Sequence, residues 1–403
     1  MTRLLNTCLC CNGELSPVID FGETPLANTY SVTRKFPLKL NRCVDCFHLQ
    51  LTESVDPNIL YRDYVYCSGT SRTAFEFFEG FAGLALEYFP KAMEVLDIAS
   101  NDGSQLDAFK RLGVSTTGVD PAENLAKIAA AKGHTVRVSL FEDADFSANP
   151  IFDIITAQNV LAHTSSPLTF LRKCADLMHV GSRLFVMTSQ ANLIANGECD
   201  TIYHEHISYF NTRSMMRVAE RAGLKLLDLP MSEIHGTSYI FVFGKEGRPT
   251  RAVADRLMQE DADGLFRAET YTKWSAGVME RIERLRESIG DFRGRGYVTV
   301  GCGAAAKGIS LLNMAGVKVD RLVDTTPTKW NKVASGMPIL PFDAIAEMAD
   351  DQILFVVLAW NLADEIMENV RKLRINDNDH FITTHPSRCG MNSTQKPELD
   401  LSH

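Results

Sequence analysis

The stretch Met93-Glu94-Val95-Leu96-Asp97-Ile98-Ala99-Ser100-Asn101-Asp102-Gly103 decides the fold of the middle of this 403-residue chain. An apolar run ends in Asp97-Ile98 and gives way to a polar turn with one glycine, after which helical spacing of apolar residues continues to Arg111. A second apolar run, residues 114–119, ends at Asp120-Pro121. The order strand, loop, helix and strand with a terminal acid predicts a Rossmann-like half.

The loop in this half indicates which cofactor it binds. Its single glycine, Gly103, does not make the G-x-G-x-x-G fingerprint, and Ser100-Asn101-Asp102 offers no cradle for a diphosphate. An acid after the second strand accepts hydrogen bonds from a ribose diol. The loop therefore favours a cofactor without phosphates, such as S-adenosyl-methionine, over NAD.

The α/β pattern continues beyond this half. A strand begins at Phe152 and runs into polar residues, the next helix is expected to end near Gly181, and another strand is predicted over residues 182–188. The phrase that begins at Phe152 resembles the fourth strand of class I methyltransferases. The residues predicted to bind the cofactor are Asp97, Ala99, Asn101, Gly103, Asp120, Pro121, Gln158 and Asn159.

Two C-x-x-C pairs near the start of the chain predict a structural zinc site. Each pair points two thiolates at one tetrahedral ion, and four thiolates leave no open position for a substrate. Cys10 lies between two of the ligands and is expected to be a bystander, whereas His48 is an alternative ligand. The candidate ligands are Cys8, Cys11, Cys43 and Cys46.

Composition narrows the class of protein. A hydrophobic share of 45% and a charged share of 23% are typical of a soluble globular protein, and 403 residues predict two or three domains. A net charge of −9 argues against a nucleic-acid or anionic-membrane surface. No apolar run suits a transmembrane helix or a signal peptide, so we expect a cytoplasmic protein, a monomer or a weak homodimer, whose ten cysteines are reduced.

The C-terminal third repeats the Rossmann-like pattern. Long helices are predicted from Arg251 to about residue 289, and a strand over residues 297–300 leads into the small-residue loop 301–308. Small residues let a backbone approach a diphosphate at a helix N-terminus, and Lys307 can add charge. This half alone favours an NAD-dependent oxidoreductase, although Ala306 replaces the third glycine of the fingerprint. Asn361 follows a further strand, where ligands bind in such sheets.

The segment Tyr203-His204-Glu205-His206 carries the chemistry that the strands do not explain. Its spacing is not that of an H-E-x-x-H zinc site, so the alternatives are a proton-transfer site or a polar cluster at a strand end. In an extended strand Tyr203 and Glu205 would face one side and His204 and His206 the other. If Tyr203, Glu205 and His206 serve one site, the segment must turn.

Taken together, these features resemble those of the bacterial C-methyltransferases that act on nucleotide-linked keto-deoxysugars. The resemblance covers the chain from Cys8 to about residue 386, and Ser100–Gly103, 159–163, 203–206 and 301–308 are among the stretches that carry it. It implies an N-terminal zinc-binding module (1–70), a class I methyltransferase domain (71–245), a helical bridge (246–290), a second Rossmann-like domain that binds substrate (291–386) and a tail (387–403).

The resemblance also implies roles for side chains. Histidine has a pKa suited to removing the proton beside a ketone, which gives an enolate for methylation at carbon. His206 is then the base, with Glu205 orienting it or acting as the base itself. Tyr203 and His163 would stabilise the enolate oxygen, and His204 would point away. Expected contacts to the sugar nucleotide, a dTDP-sugar by this resemblance, are His235, Lys307 and Asn361.

Three departures from the family pattern keep alternatives open. Asp97 stands where relatives have glutamate, and Ala99 where they have glycine. Tyr239-Ile240 occupies the place of a Leu-Arg pair, so no arginine follows to grip the acceptor. The alternatives are a methyltransferase with a non-sugar acceptor, the NAD-dependent oxidoreductase, and a binding protein with a decayed site.

Overall fold

A computed structural model of the chain describes residues 2–28, 34–60, 69, 72–147, 151–188, 192–232, 238–348 and 352–384. The chain divides into two compact units. The first comprises Met1–Pro17, Leu40–Asn192 and Glu205–Phe266, and the second comprises Val18–Lys39, Leu193–His204 and Arg267–His403. The five-part division expected from the sequence stays a prediction. Among the described residues, no helix combines the length and apolar character needed to cross a bilayer.

Short strands dominate the N-terminal segment. They are β1 (Thr2–Leu4), β2 (Leu15–Pro25), β3 (Lys35–Cys43), β4 (Leu49–Leu51) and β5 (Glu53–Val55). In β3 the buried side chains Phe36, Leu38 and Leu40 alternate with more exposed ones, which gives the strand one packed face. Strand β1 pairs antiparallel with β5, and β3 with β4. Helices α1 (Pro57–Leu60) and α2 (Arg72–Tyr88) follow.

The central sheet has the strand order β12-β14-β10-β9-β6-β7-β8, and β13 pairs with β14. Strands β6 to β10 are parallel to one another, whereas β14 is antiparallel to both β10 and β12. This is the class I methyltransferase arrangement, so the predicted fold class is confirmed. The elements are β6 (Glu94–Ile98), α3 (Ser104–Arg111), β7 (Ser115–Asp120), α4 (Glu123–Ala131), β8 (Thr135–Val138), β9 (Phe152–Gln158), α5 (Pro167–Asp176), β10 (Met178–Met187), β12 (Lys225–Asp228), β13 (Met231–Ser232) and β14 (Ser238–Gly244).

The expected end of one helix near Gly181 is wrong. Helix α5 ends at Asp176, and β10 begins at Met178 with an irregular register between Met178 and Arg183. The Ser182 hydroxyl accepts a hydrogen bond from the His179 N–H and donates one to the Phe152 carbonyl. These bonds keep the polar start of β10 in the sheet, which the apolar pattern could not indicate. Helices α7 (Thr212–Arg221) and α8 (Arg251–Ala262) complete the first unit's helices, with β11 (Ser208–Tyr209) before them.

The second unit is built on another parallel sheet with the order β17-β18-β16-β15-β19-β20. All its pairs are parallel except β17 with β18, which confirms the predicted second Rossmann-like fold. Every residue of the central strand β19 is buried, as expected when helices cover both faces. The elements are α6 (Leu193–Asn196), α9 (Ala268–Gly294), β15 (Val298–Cys302), α10 (Ala306–Ala315), β16 (Arg321–Asp324), β17 (Val333–Ala334), β18 (Met337–Pro341), β19 (Ile353–Val357), α11 (Ala363–Leu373) and β20 (His380–Thr383).

Candidate functional site

The four cysteines of the C-x-x-C pairs come together at the start of the first unit. Their sulfur atoms all lie within 4.8 Å of one another, with Cys8–Cys46 at 3.5 Å and Cys11–Cys43 at 3.4 Å. Zn–S bonds of about 2.3 Å in a tetrahedron place sulfurs about 3.8 Å apart, so the donor set fits Zn²⁺. The N–H groups of Cys10 and Asp45 point at the sulfurs of Cys8 and Cys43, each at 3.4 Å.

His48 does not join this cluster and instead links it to the H-E-H segment. Its Nε2 lies 3.2 Å from the Ser208 hydroxyl, and its ring packs on Phe210 with 4.8 Å between centroids. Strand β4 pairs antiparallel with β11, with Gln50 opposite Ser208. The strand next to the cysteine cluster therefore holds the backbone directly after His206.

The loop between β6 and α3 is tight. Ala99 (φ 60°), Asn101 (φ 52°) and Gly103 (φ 79°) all have left-handed backbone conformations. A Cβ on Gly103 would come within 2.8 Å of the Ala129 Cβ, so only glycine fits there. Ala99 takes the same kind of conformation with a Cβ, which costs about 1–2 kcal/mol relative to a relaxed residue.

Asp120 closes this loop from the end of β7. Its Oδ2 accepts a hydrogen bond from the Asn101 N–H at 2.9 Å, and its Oδ1 accepts one from the Ala122 N–H at 2.8 Å. Burial raises the pKa of Asp120, and those two bonds lower it in part. Since each carboxylate oxygen can accept a second bond, Asp120 can still accept a ribose hydroxyl. Pro121 lies exposed just beyond it.

Asp97 is buried where β6 meets the loop. Its Oδ1 accepts a 2.6 Å hydrogen bond from the Thr156 hydroxyl of β9. Burial raises the pKa of Asp97 to about 7, the Thr156 bond opposes this, and the nearby Asp120 charge adds to it. Since this carboxyl titrates near neutral pH, a cationic ligand bound nearby would shift it toward the ionised form.

Gln158, at the end of β9, presents an acceptor whose direction the neighbouring side chains dictate. Gln105 Nε2 lies 3.2 Å from the Phe78 carbonyl, which can only accept, so Gln105 turns its Oε1 to Gln158. Gln158 must then donate with Nε2, at 2.8 Å. Its own Oε1 is buried without a protein partner among the described residues. A donor such as the ammonium group of S-adenosyl-methionine fits this atom. Asn159 is next, exposed and with φ 55°.

His163 and His206 meet beyond Asn159. Their rings are edge to face, with centroids 5.1 Å apart, and the His206 ring lies 6.3 Å from that of Tyr209. Desolvation lowers the pKa of His163 to about 4, against hydrogen bonds to the backbone of Asn159 and Glu205. The Ile207 N–H donates to the Ala162 carbonyl at 2.7 Å, which joins the H-E-H segment to the short helix 161–163.

The segment around Glu205 turns rather than running as a strand, because residues 203–205 form a bend and turn before β11. Glu205 is buried, and Tyr203 and His206 are partly buried. His204 Nε2 donates a hydrogen bond to the Phe36 carbonyl at 3.1 Å, and its ring contacts the Phe36 ring edge to face. Only a carbonyl acceptor faces that nitrogen, so Nε2 carries the proton.

The glycine-rich segment of the second unit differs from a dinucleotide loop. Gly301 and Cys302 belong to β15, which extends further than the predicted strand. A Cβ on Gly308 would come within 2.4 Å of the Leu358 Cβ, so this glycine serves helix–strand packing. Asp324, the acid at the end of β16, accepts from the Ala304 and Thr326 N–H groups and pairs with Lys329 at 3.1 Å. A ribose diol would have to compete with that ion pair.

The structure describes the three predicted substrate contacts to different extents. Lys307 lies in the first turn of α10, partly buried. Asn361 belongs to the short helix Trp360–Leu362, and its side chain lies outside the described residues, as does all of His235. Sequence reasoning missed Gln105, Thr156 and Ser208, which orient Gln158, Asp97 and His48. Thr156 interrupts an apolar strand and was the one detectable signal.

Three family models together match almost the whole chain. Residues 8–61 match the family described as "Putative zinc binding domain", residues 62–229 the "Methyltransferase domain", and residues 233–386 the "C-methyltransferase C-terminal domain". The glycine-rich segment lies inside the third match, which assigns it to a methyltransferase rather than to a dehydrogenase.

The chain is similar to known methyltransferases over different shares of its length. The C-methyltransferase NovU of Streptomyces niveus is 28% identical over 413 residues, which cover 96% of this chain and 97% of NovU. A ubiquinone biosynthesis O-methyltransferase of Coxiella burnetii is 28% identical over 163 residues, 36% of this chain and 69% of that protein. Magnesium protoporphyrin IX methyltransferase from Synechocystis PCC 6803, solved with bound SAM, covers 48% of this chain and 99% of its own, with 14% identity and a TM-score of 0.38. The chain is an S-adenosyl-methionine-dependent methyltransferase that matches, in chain order, a putative zinc binding domain, a methyltransferase domain and a C-methyltransferase C-terminal domain.

Proposed function

We propose that the enzyme methylates a carbon atom of a keto-deoxysugar linked to a nucleoside diphosphate, with dTDP as the nucleotide. The observation that carries the proposal is the contact between His163 and His206, in which one ring is kept neutral beside the other. A carbon atom beside a ketone has no free lone pair and becomes a nucleophile only when a base removes its proton, so the reaction requires a proton acceptor at the site. Similarity to NovU over nearly the full length supports the same reaction class.

His206 is the proposed base. Desolvation holds the pKa of His163 at about 4, so His163 stays uncharged at neutral pH and does not repel a proton that His206 takes up. His163 can then donate a hydrogen bond to the enolate oxygen as a neutral imidazole. Because His163 stays neutral, it is the ring suited to donate a hydrogen bond, and His206 is the ring that we propose takes up the proton.

Glu205 and Tyr203 complete the proposed catalytic set. Glu205 is buried next to His206 in the chain, where a carboxylate orients an imidazole or itself accepts the proton. Tyr203 is partly buried and offers a phenol as a donor for the enolate oxygen. The turn at residues 203–205 removes the strict alternation that would separate these side chains.

S-adenosyl-methionine, when bound, supplies an electrophilic methyl group on its sulfonium. We propose that Asp120 accepts bonds from the ribose, that Gln158 Oε1 accepts one from the ammonium, and that the strained loop 99–103 lets the backbone come close. Asp97 contributes a negative charge near the cofactor once it ionises. The predicted contacts from Ala99, Asn101, Gly103, Pro121 and Asn159 lie on the same edge of the sheet.

The test is to supply dTDP-4-keto-6-deoxyglucose and methyl-labelled S-adenosyl-methionine and to locate the label by NMR. A label on carbon supports the proposal, and exchange of the sugar's α-proton with deuterium in the absence of methyl donor identifies the base-catalysed step. A label on oxygen or nitrogen contradicts it. A non-sugar acceptor remains the second candidate, favoured by Tyr239-Ile240 in place of a Leu-Arg pair. Cofactor binding with no exchange on any keto-sugar would instead favour a binding protein with a decayed site.

A further inference from the structure

Side-chain hydrogen bonds from helix α9 and from the loop after β19 fasten residues 197–200 to the rest of the second unit. Trp274 Nε1 donates to the Glu198 carbonyl at 3.0 Å, and Arg281 Nη2 donates to the Gly197 carbonyl at 2.6 Å. Trp360 Nε1 donates to Asp200 Oδ2 at 2.7 Å. Helix α9 and the loop after β19 thus set the position of Asp200.

Within the part of the chain that the structure describes, only one of the two oxygens of Asp200 has a hydrogen-bond partner. The residue is 3% exposed, and its Oδ1 is buried without a hydrogen-bond partner among the described residues. Leaving a buried polar atom unpaired costs about 1–3 kcal/mol, and more for a charged one. An ionised carboxylate accepts hydrogen bonds and donates none, so the partner that fits Oδ1 is a donor.

The carboxylate lies at a position where open α/β sheets bind ligands. Strands β15 and β19 are neighbours, and the chain leaves them toward opposite sides of the strand order β18-β16-β15-β19-β20. The crevice at such a switch point, outside the carboxyl ends of the strands, is the usual ligand site. Trp360 follows β19 closely, and Lys307 is in the first turn of the helix after β15.

The charges in this place exclude a diphosphate directly at Asp200. Burial raises the pKa of Glu198 and the neighbouring Asp200 charge raises it further, whereas Asn196 and the Lys307 charge lower it. Glu198 and Asp200 therefore form a negative pair, with Lys307 close enough to act on it. A phosphate would meet two carboxylates here, while a hydroxyl group would meet an acceptor that needs it.

We infer that Asp200 Oδ1 accepts a hydrogen bond from a hydroxyl group of the acceptor molecule, which makes Asp200 a specificity-determining residue of the second unit. This inference rests on the proposed function, because it takes the acceptor to be a hydroxyl-bearing sugar nucleotide. A buried acceptor built for a hydroxyl discriminates strongly against ligands that lack one. Trp360 acts as the positioning residue that fixes the carboxylate.

The experiment compares Asp200→Asn with the unchanged protein by calorimetric titration of dTDP-4-keto-6-deoxyglucose and, separately, of S-adenosyl-homocysteine. Asparagine can keep its oxygen on the Trp360 N–H, and its NH₂ group then replaces Oδ1, so the ligand hydroxyl loses its charged acceptor. The sugar nucleotide should bind at least about tenfold more weakly, with KM raised more than kcat is lowered, and S-adenosyl-homocysteine should bind unchanged. Sugar-nucleotide affinity equal to that of the unchanged protein overturns the inference and leaves the proposed function standing.

Two further variants separate recognition from folding. Asp320→Asn makes the same substitution at the amino end of β16, where Asp320 binds the Thr299 N–H and hydroxyl, and it should lower stability without changing sugar-nucleotide affinity. Trp360→Phe leaves both carboxylate oxygens of Asp200 in place and should weaken binding less than Asp200→Asn. Equal losses in Asp200→Asn and Trp360→Phe would mean a purely structural tie and overturn the inference. If the unchanged protein binds no sugar nucleotide, the proposed function fails, and the inference fails with it.

Discussion

The imidazole rings of His206 and His163 are in edge-to-face contact, with 5.1 Å between their centroids and an angle of 79° between their planes. The pair differs in environment, because desolvation lowers the pKa of His163 to about 4. Two adjacent imidazoles in equal surroundings would share one proton between them and titrate together. A neutral His163 beside His206 is the arrangement on which the proposal of His206 as the base rests.

Replacing His206 by alanine should therefore remove the base and leave the cofactor site intact. We expect kcat to fall by about 10²–10⁴-fold, the usual contribution of general-base catalysis, and the dissociation constant of S-adenosyl-homocysteine to change by less than about twofold. His179→Gln is the matched control, since His179 pairs with Asp153 near the start of β10 and should leave kcat unchanged. Loss of α-proton exchange in His206→Ala locates the defect; undiminished exchange would transfer the role to Glu205.

The affinity for S-adenosyl-methionine should increase with pH around neutrality. Asp97 has a pKa of about 7, so it is mostly protonated at pH 6 and mostly ionised at pH 8. The cofactor is cationic at its sulfonium and ammonium groups, and an ionised Asp97 attracts it. Asp97→Asn should flatten this pH dependence in calorimetric titrations from pH 5.5 to 8.5. A profile with the same slope in both proteins would assign the titration to another group.

The same shift has a consequence for folding stability. The pKa of Asp97 is higher in the folded state than the ordinary value of 3.8, so the folded state binds the proton more tightly. This stabilising contribution is complete below pH about 4 and is lost as pH rises through about 7. The melting temperature of Asp97→Asn should thus exceed that of the unchanged protein by a margin that grows between pH 5 and 8. A constant margin would contradict the raised pKa.

Ala99→Gly should stabilise the protein. Ala99 has φ 60°, where a Cβ is strained and glycine is not, although glycine costs more entropy on folding. The net gain should be about 0.5–1 kcal/mol, measured by urea denaturation. Gly113→Ala provides the mirror experiment, because Gly113 has φ 82° and open space around it, and it should lose about as much. A destabilised Ala99→Gly would mean that the methyl group makes contacts worth more than the strain.

Cys43→Ser should release zinc and stop methyl transfer together. The cysteine cluster is followed directly by β4, and β4 pairs with the strand that comes just after His206. Without the metal we expect rapid proteolysis in the first 55 residues and a kcat reduced by at least about 100-fold, while S-adenosyl-homocysteine still binds. Cys10→Ala is the control in the same knuckle and should retain one zinc per chain. A zinc-free Cys43→Ser with normal kcat would show that the module is dispensable.

Gln105→Met should weaken the binding of S-adenosyl-methionine through its effect on Gln158, although Gln105 itself is not a proposed cofactor contact. Removing Gln105 frees the Gln158 amide to rotate, so its Oε1 no longer points reliably at a donor. The affinity for S-adenosyl-methionine should fall by about five- to tenfold, one hydrogen bond's worth, while 5′-methylthioadenosine, which lacks the ammonium, should bind as before. Equal losses for both ligands would assign the Gln158 contact to the adenosine half instead.

Much of the fold could be predicted because apolar runs and the acids that end them reflect backbone geometry directly. The strand predicted to begin at Phe152 is β9, and the strand predicted over residues 114–119 corresponds to β7, one residue later along the chain. The two C-x-x-C pairs predicted the cysteine cluster because the spacing within each pair is a local feature of the sequence. The start of β10 was missed because Ser182 holds it in the sheet through side-chain hydrogen bonds.

The candidate site was less accessible from the sequence. The H-E-H segment predicts proton-transfer chemistry, and this stays a prediction. The pairing of Ser208 with Gln50 and the contact of His163 with His206 join residues far apart in the chain, which no local pattern indicates. The low pKa of His163 depends on burial, which no motif records. Asp200 was passed over because a single acid before a tyrosine has no distinctive spacing. Its unpaired oxygen is a property of packing alone.

The pairing of β4 with β11 has a consequence for how the chain is made. His48 and Ser208 are 160 residues apart, so the N-terminal sheet cannot gain its last strand when the cysteine knuckles leave the ribosome. At about 5–20 residues per second, the exposed edge of β4 waits roughly 8–32 s for its partner. Metal capture during that interval would keep an unfinished edge ordered until the nascent central domain arrives to cover it.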